Sequence, residues 1–309
     1  MRKNKIYIAI FFTFMNFGCQ NYEYNGVGQD VPTAGKIEVY VDRADSMLVS
    51  EWIEMFHSNY PKAQITPIYA SHNQLMKWLE TDSLKKAFIV NHFLNNDQKE
   101  FISTNRNCTV HETHLAQTAV AIIAHKNATV SKISLDNLLN LMSTQKNQSD
   151  YFDILVADSW GAPLISARKE MASKFKMKLM RAPNSFIHIA DDQKIIDFVS
   201  EHPNAIGLIS LSLVGNNYSK VCLNNQKKIK ILRLSNSDQE LAHFPFQSQI
   251  KAKQYPLIQN IVAYDLQGYS GLANGFITFV NSQPGQIMTK KNGLIPTNDV
   301  GRTIELGTN

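Results

Sequence analysis

Cysteine is scarce in this chain, with three residues in 309. Cys19 lies near the N-terminus, and Cys108 and Cys222 stand 114 positions apart, which is no disulfide framework. An oxidising compartment would permit one bridge between them; two buried free thiols are the simpler expectation. The apolar run at the N-terminus falls short of the roughly 20 residues a membrane span needs. Charge of one sign is not concentrated either. Thirty-one basic and 26 acidic side chains leave a net +5, and no basic run interleaves with aromatics, so nucleic acid is not an expected partner. The lysines of Gln226-Lys227-Lys228-Ile229-Lys230 read as a solvated turn leading into a strand.

Signatures of catalysis are missing as well. There is no G-x-S-x-G nucleophile elbow and no G-x-x-x-x-G-K-[ST] phosphate loop. Acids such as Asp191-Asp192 fall in polar runs that read as solvated. No enzyme is expected on this basis, although a buried pair of carboxylates or histidines with perturbed pKa values would argue for one. Cys108, His111 and His114 are spaced three apart, with Glu112 between the histidines. That set lacks a fourth, distant ligand, and an extended segment would send Cys108 and His111 to opposite faces, so no metal and no other cofactor is expected.

The first residues read as an address. Arg2, Lys3 and Lys5 precede an apolar run from Ile6 to Phe17, the pattern of a secretory signal. It ends at Gly18-Cys19, a small residue before a cysteine, as in a lipoprotein cleavage site; Cys19 is the expected lipidation site and the chain is expected in the cell envelope, periplasmic and lipid-anchored. Residues 20–35 are polar, carry several Gly, Asn and Tyr, and lack periodicity, so they read as a flexible tether. About 275 residues remain, enough for two lobes of ordinary size.

Those residues alternate between strand and helix patterns. Lys36 to Val41 alternates polar with β-branched residues, a strand. Met47, Leu48, Trp52, Ile53 and Phe56 follow at helical spacing, with Asp45 or Ser46 as the N-cap. Further strands are expected at Gln64–Ala70, Ala87–Val90, Ala119–Ala124, Ile154–Ala157, Ala205–Leu211, Ile229–Leu234 and Ile261–Tyr264. Helices are expected after Ser71, after Ser134, around Ala167 and Met171, at Ile195–Ser200, at Leu272–Asn281 and at Gly285–Lys291. Strand, loop and helix in repeated order mean α/β architecture with largely parallel sheets. Ligands in such sheets sit at the carboxyl ends of strands, facing helix N-termini. Asp45-Ser46, Ser71-His72, Asn91-His92 and Asp158-Ser159-Trp160-Gly161 occupy such turns. Small polar residues there suit oxyanions, and equally they cap helices with no ligand at all.

Segments late in the chain carry a resemblance. Gln254-Tyr255-Pro256-Leu257, then Gly271-Leu272-Ala273-Asn274-Gly275-Phe276-Ile277-Thr278-Phe279-Val280, then Gly285-Gln286-Ile287 and Gly293-Leu294-Ile295-Pro296 resemble the closing segments of the PstS-like phosphate-binding proteins of ABC transporters. Pro203-Asn204-Ala205-Ile206-Gly207 and Ala119-Val120-Ala121-Ile122-Ile123 resemble two strands of the same family, and the similarity runs from about Lys36 to Glu305. The resemblance implies a two-lobed periplasmic-binding-protein fold of type II, a Venus flytrap with a central sheet flanked by helices in each lobe. One lobe would comprise 36–123 plus 235–309 and the other 124–234. It further implies a small solute in the cleft, phosphate or another oxyanion, an ABC permease as partner, and contacts from Asp45, Ser46, Ser71, His92, Ser159, Trp160 and Gly161. The pattern departs from the family's at three places. His92 stands where an Asp or Arg is usual, Trp160-Gly161-Ala162 replaces Ser-Gly-Thr, and Thr118-Ala119-Val120 replaces Asp-Ala-Val. Charged and hydroxyl partners for phosphate are reduced accordingly, and His92 would add a positive donor only when protonated. A diverged fold with a non-phosphate ligand, or with a sensory or envelope-assembly role, is the alternative.

Overall fold

The computed structural model describes residues 30–142, 152–176 and 186–298. Cys19, the signal segment and most of the expected tether lie outside them. The first elements follow the patterns in the sequence: β1 (Gly35–Asp42), α1 (Ser46–Asn59), β2 (Ala63–Ala70), α2 (His72–Thr81), β3 (Ala87–Val90) and α3 (Asn96–Arg106). A long strand, β4 (His111–His125), leads into β5 (Lys132–Ser134), α4 (Leu135–Met142), β6 (Ile154–Ala157), α5 (Ala162–Phe175), β7 (Phe186–His188), α6 (Asp192–Glu201) and β8 (Ala205–Ser210). The chain then forms α7 (Lys220–Lys228), β9 (Ile229–Ile231), β10 (Arg233–Ser235), α8 (Gln247–Lys251), β11 (Ile258–Asp265), α9 (Leu272–Asn281), α10 (Gln283–Lys291) and β12 (Ile295–Pro296).

The main sheet runs β2-β1-β3-β11-β4-β8-β6-β7, with β9 and β12 also paired to β4. Strand β4 has 15 residues, about 50 Å of extended chain. Its first part pairs with β11 from His111 to Ala119, and its second with β8 from Val120 to Ala124. One strand thus belongs to two sheet halves. In the first half, alternate residues go to opposite faces. Val39, Val41 and Ile89 pack with Leu48, Trp52 and Phe56 of α1 and Phe276 of α9. Tyr40, Phe88 and Val90 pack on the other face with Leu75 and Leu79 of α2 and Ile102 of α3. A separate cluster joins the rest of β4 to Leu155, Val156, Ile206 and Leu208, under Leu164, Ala167, Ile195 and Val199 of α5 and α6; Ile250, Tyr255 and Leu257 also belong to it. Helices cover both faces of each half, the arrangement that strands buried on both sides require.

Several boundaries differ from the sequence reading. Strand β4 begins eight residues earlier than its apolar part, because β11 pairs with the polar stretch His111 to Thr118. The expected strand Ile229–Leu234 is broken at Leu232, whose N–H donates to Ile122 O at 2.8 Å, and the two pieces pair with β4 and β5. Lys227 and Lys228 occupy the last turn of α7 rather than a turn before a strand, where positive charge meets the negative end of the helix dipole. The end of the expected tether is docked. Asp30 is buried, accepts the N–H of Leu272 at 2.7 Å at the start of α9, and also accepts from Gln267 and Tyr269. Cys108 and Cys222 are free thiols; Cys222 is buried and Sγ donates to Ser212 O. Among the described residues, no helix is long and apolar enough to cross a membrane.

Candidate functional site

The carboxyl ends of β1, β2 and β3 meet those of β6 and β8 across a cleft. Asp42 ends β1, and its Oδ1 accepts from Ala44 N at 3.1 Å, which caps the short 3-10 turn at Arg43–Asp45. Asp45 occupies the N-cap position of α1 but makes no capping bond. It is fully buried, and its Oδ2 accepts from Asn91 Nδ2 at 2.7 Å, just beyond β3. The side-chain cap expected of Asp45 or Ser46 at the start of α1 is therefore not made; Asp42 caps the 3-10 turn before it, and the Asp45 carboxyl turns to Asn91 in the cleft floor. Ser71, after β2, accepts from Gln74 N and is occupied as the cap of α2. The next residue, His72, places Nδ1 at 3.2 Å from Asp42 Oδ2, and its ring centroid lies 5.1 Å from that of His92.

On the far side, Asp158 follows β6. Its Oδ1 accepts from Trp160 N at 3.0 Å, and Gly161 N donates to Asp158 O at 3.1 Å. A Cβ at Gly161 would lie 2.9 Å from Asp158 Cβ, so the tight turn needs glycine there. Ser159 N donates to His188 Nδ1 at 3.0 Å. At the start of α6, Asp191 caps the helix while Asp192 Oδ2 accepts from Ser210 N at 2.8 Å, at the end of β8. Asp192, expected in a solvated run, faces the cleft instead.

Direct contacts bridge the two sides. Arg43 Nη1 donates to Ala190 O and lies 3.5 Å from Asp158 Oδ2. Ser212 Oγ donates to Ala44 O at 3.2 Å, and Asn73 N donates to Trp160 O at 3.4 Å. Trp160 is 56% exposed and its side chain does not fill the cleft; its backbone carbonyl makes the contact.

Electrostatics separates floor from mouth. Burial, reinforced by Asp42 and Asp192, holds the Asp45 carboxyl well above the usual range despite the bond from Asn91. Burial also pushes Asp192 up to about 7; the Ser210 N–H opposes this, and Asp42, Asp158 and Asp191 add to it. The floor is thus crowded with carboxylates that resist ionising together. At the mouth, burial pushes His92 down to about 3, with Lys169 and His72 adding to the effect. His92 therefore stays neutral near pH 7, and the positive donor expected of it on protonation is not supplied. Asp45 Oδ1, Asn91 Oδ1, His92 Nδ1 and Arg168 Nε are buried without a hydrogen-bond partner. A hollow of about 350 Å³ at the mouth is lined by His72, His92, Glu80, Ile165, Arg168 and Lys169, among others. A larger hollow, about 730 Å³, lies away from this cleft beside Phe244, Phe246 and Ile231. Among the described residues, no group of three or more His, Cys, Asp or Glu side chains is placed to hold a metal ion.

Residues 27–284 match the profile of the PBP superfamily domain. The chain belongs to the PBP superfamily. Its fold is similar to that of a protein from Clostridium perfringens assigned as a phosphate ABC transporter substrate-binding protein, solved with phosphate bound (TM-score 0.69, 14% identity, 85% of this chain and 100% of that one). It is also similar to an ABC-type phosphate transport receptor from Vibrio cholerae (TM-score 0.63, 14% identity, 85% and 100%). The Synechocystis CcmR regulatory domain, in complex with 2-PG, shares the fold at a TM-score of 0.52 and 11% identity, over 80% of this chain and 95% of that one. No curated protein matches the chain significantly by sequence.

Of the seven residues named from the sequence, six lie in the connections after β1, β2, β3 and β6, and Ser46 is the first residue of α1. Their side chains divide unequally. Asp45 lies in the floor, His92 lines the mouth, Ser71 is spent on a cap, and Ser159 and Gly161 take part through their backbone N–H groups. Ser46 is half-buried and its carbonyl accepts from Tyr69 Oη. The sequence reading does not single out Asp42, Arg43, Arg168 or Lys169, and it sets Asp192 aside as solvated. Asp42 ends a strand, the position where ligand residues of parallel sheets concentrate; the other four carry no local signal.

Proposed function

We propose that the chain is an exported solute-binding lipoprotein, anchored through Cys19, that binds rather than transforms a small polar solute between two lobes and presents it to an ABC permease. The lobes would comprise about 36–123 with 235–309 and about 124–234, with Ile250 to Leu257 packing across that boundary. One observation carries the reading: five strand ends from two sheet halves converge on a cleft whose floor holds buried, unpartnered acceptors, Asp45 Oδ1 and Asn91 Oδ1. Buried polar atoms ordinarily find partners, and a solute with hydroxyl or amino donors would supply them. The same floor disfavours inorganic phosphate, because a dianion there would meet Asp42 and Asp158 beside the raised Asp192, and unpaired buried charge is costly. Raised acids in the floor are also a mark of enzymes. Asp45, however, is tied to Asn91, which suits recognition better than turnover. The likeness of the fold to a regulatory domain in complex with 2-PG supports one second reading, a sensory role.

Calorimetry on the mature chain against phosphate, sulfate and a panel of polar metabolites tests the ligand. A donor-bearing metabolite is expected to bind at least tenfold more tightly than phosphate, and Asp45→Ala to weaken it by a further tenfold or more. That loss corresponds to about 1.4 kcal/mol. Tight phosphate binding unchanged by Asp45→Ala would overturn the reading. Cys19→Ala is expected to move the protein from the membrane to the soluble fraction; unchanged fractionation with normal signal cleavage would remove the lipid anchor from it.

A further inference from the structure

Two helices from opposite sides of the cleft face each other across the hollow at its mouth. On α5, Ile165, Arg168 and Lys169 are three and four positions apart and share one side of the helix. On α2, His72, Met76 and Glu80 do the same at four-residue spacing, and His92 and Gln98 complete the lining. Arg168 is half-buried and its Nε is closed off from solvent without an acceptor. Neither Arg168 nor Lys169 has a carboxylate within ion-pair distance among the described residues, whereas Arg43, Lys85, Lys99, Lys174 and Lys228 each do. Glu80 lines the same hollow without pairing with either cation.

We infer that Arg168, Lys169 and His92 form an oxyanion subsite at the cleft mouth, and that the solute carries a monoanionic carboxylate or phosphoester at its outward end. This inference rests on the reading of the cleft as a solute site. Guanidinium presents a fork of N–H donors that matches the two oxygens of a carboxylate or phosphate group. Neutral His92 adds one N–H, because one ring nitrogen of a neutral imidazole is a donor. The two cations against Glu80 leave one positive charge in the lining, which suits a monoanion better than a dianion. Met76 and Ile165 supply the apolar flanks that a short carbon body needs. With donors read by Asp45 and Asn91 at the floor, the class of solute is a small hydroxy or amino acid, or a phosphoester of similar size.

The test uses the mature chain with its histidine rings carbon-13 labelled. Lactate and serine probe carboxylates, glycerol phosphate probes phosphoesters, and lactamide and serinamide are the neutral controls, all at constant ionic strength. At least one acidic probe is expected to shift the His92 ring signal and to bind tenfold or more tightly than its neutral control. Arg168→Gln with Lys169→Gln should weaken that probe at least tenfold, and Arg168→Lys should restore part of the loss. Both side chains reach solvent, so unchanged thermal unfolding of the double variant serves as the control for folding. The inference is overturned if no acidic probe moves His92, or if the double variant binds as well as the parent. If a metabolite loses affinity in Asp45→Ala but not in the double variant, the mouth subsite is wrong and the cleft reading stands. If acidic probes shift His92 while Asp45→Ala changes nothing, the subsite stands and the floor is not a recognition site.

Discussion

Asp192→Asn is expected to stabilise the protein by about 2–4 kcal/mol at pH 8.5 and by almost nothing at pH 4. Folding pushes the Asp192 carboxyl from its ordinary 3.8 up to about 7. Between those two values the folded chain binds more protons than the unfolded one, so stability falls as pH rises through the window. Below about pH 4 both states are protonated and the contribution is fully present; above about pH 7 it is lost. The full displacement corresponds to about 4 kcal/mol, and partial exposure of Asp192 to the cleft reduces that toward 2 through solvent screening. Asparagine keeps an acceptor for Ser210 N and carries no charge toward Asp42 and Asp158. Urea unfolding at pH 4, 6 and 8.5 on parent and variant gives the curve. Parallel loss of stability in the two proteins would mean that Asp192 ionises freely. The lobes offer a second route for relief: small-angle scattering should show the parent expanding between pH 6 and 8.5 and the variant holding its radius.

The sequence carried the architecture further than the site. Helix α9 was legible from Leu272 to Asn281 because its apolar residues Leu272, Ala273, Phe276, Ile277 and Val280 repeat at helical spacing and are all buried. Strand β4 was legible only in its second part. From Ala119 to Ala124 it is buried on both faces and wholly apolar, whereas His111 to His114 are polar and owe their strand conformation to β11, some 150 residues later. In the site, the turns could be read but not the side chains that matter within them. Asp42 and Asp45 are three positions apart and chemically the same. Only Asn91, across the sheet from Asp45, and His72, beside Asp42, determine which acid caps and which lines the floor. Arg168 and Lys169 look like an ordinary solvated helix face until α2 is placed opposite. The comparison with the family's phosphate pattern pointed to turns that lie at the carboxyl ends of β1, β2, β3 and β6. Of the acids in the floor, only Asp45 belongs to that pattern; Asp42, Asp158 and Asp192 lie outside it.

Gly207→Ala is expected to cost about 2–3 kcal/mol, through overpacking rather than through backbone strain. Gly207 is the glycine of the Pro203-Asn204-Ala205-Ile206-Gly207 segment, in the middle of β8. A Cβ there would lie 2.9 Å from Ile123 Cγ1 on β4, 2.9 Å from Ile195 Cγ2 and 3.1 Å from Val199 Cγ2 on α6. All three neighbours are fully buried, so none can swing into solvent, and either α6 lifts or β8 shifts against β4. Interiors packed at crystal-like density transmit such a displacement rather than absorb it. Helix α6 begins at Asp192, which accepts the N–H of Ser210 three residues beyond Gly207. The substitution therefore loosens the cleft floor as well as the core. Equilibrium unfolding of Gly207→Ala should show the loss, and Val199→Ala should cost less in that variant than in the parent, because it removes the Cγ2 that lies 3.1 Å from the new methyl group. If Gly207→Ala matches the parent, β8 and α6 have slack between them, and the position of Asp192 is set by its own hydrogen bond instead of by the packing of α6.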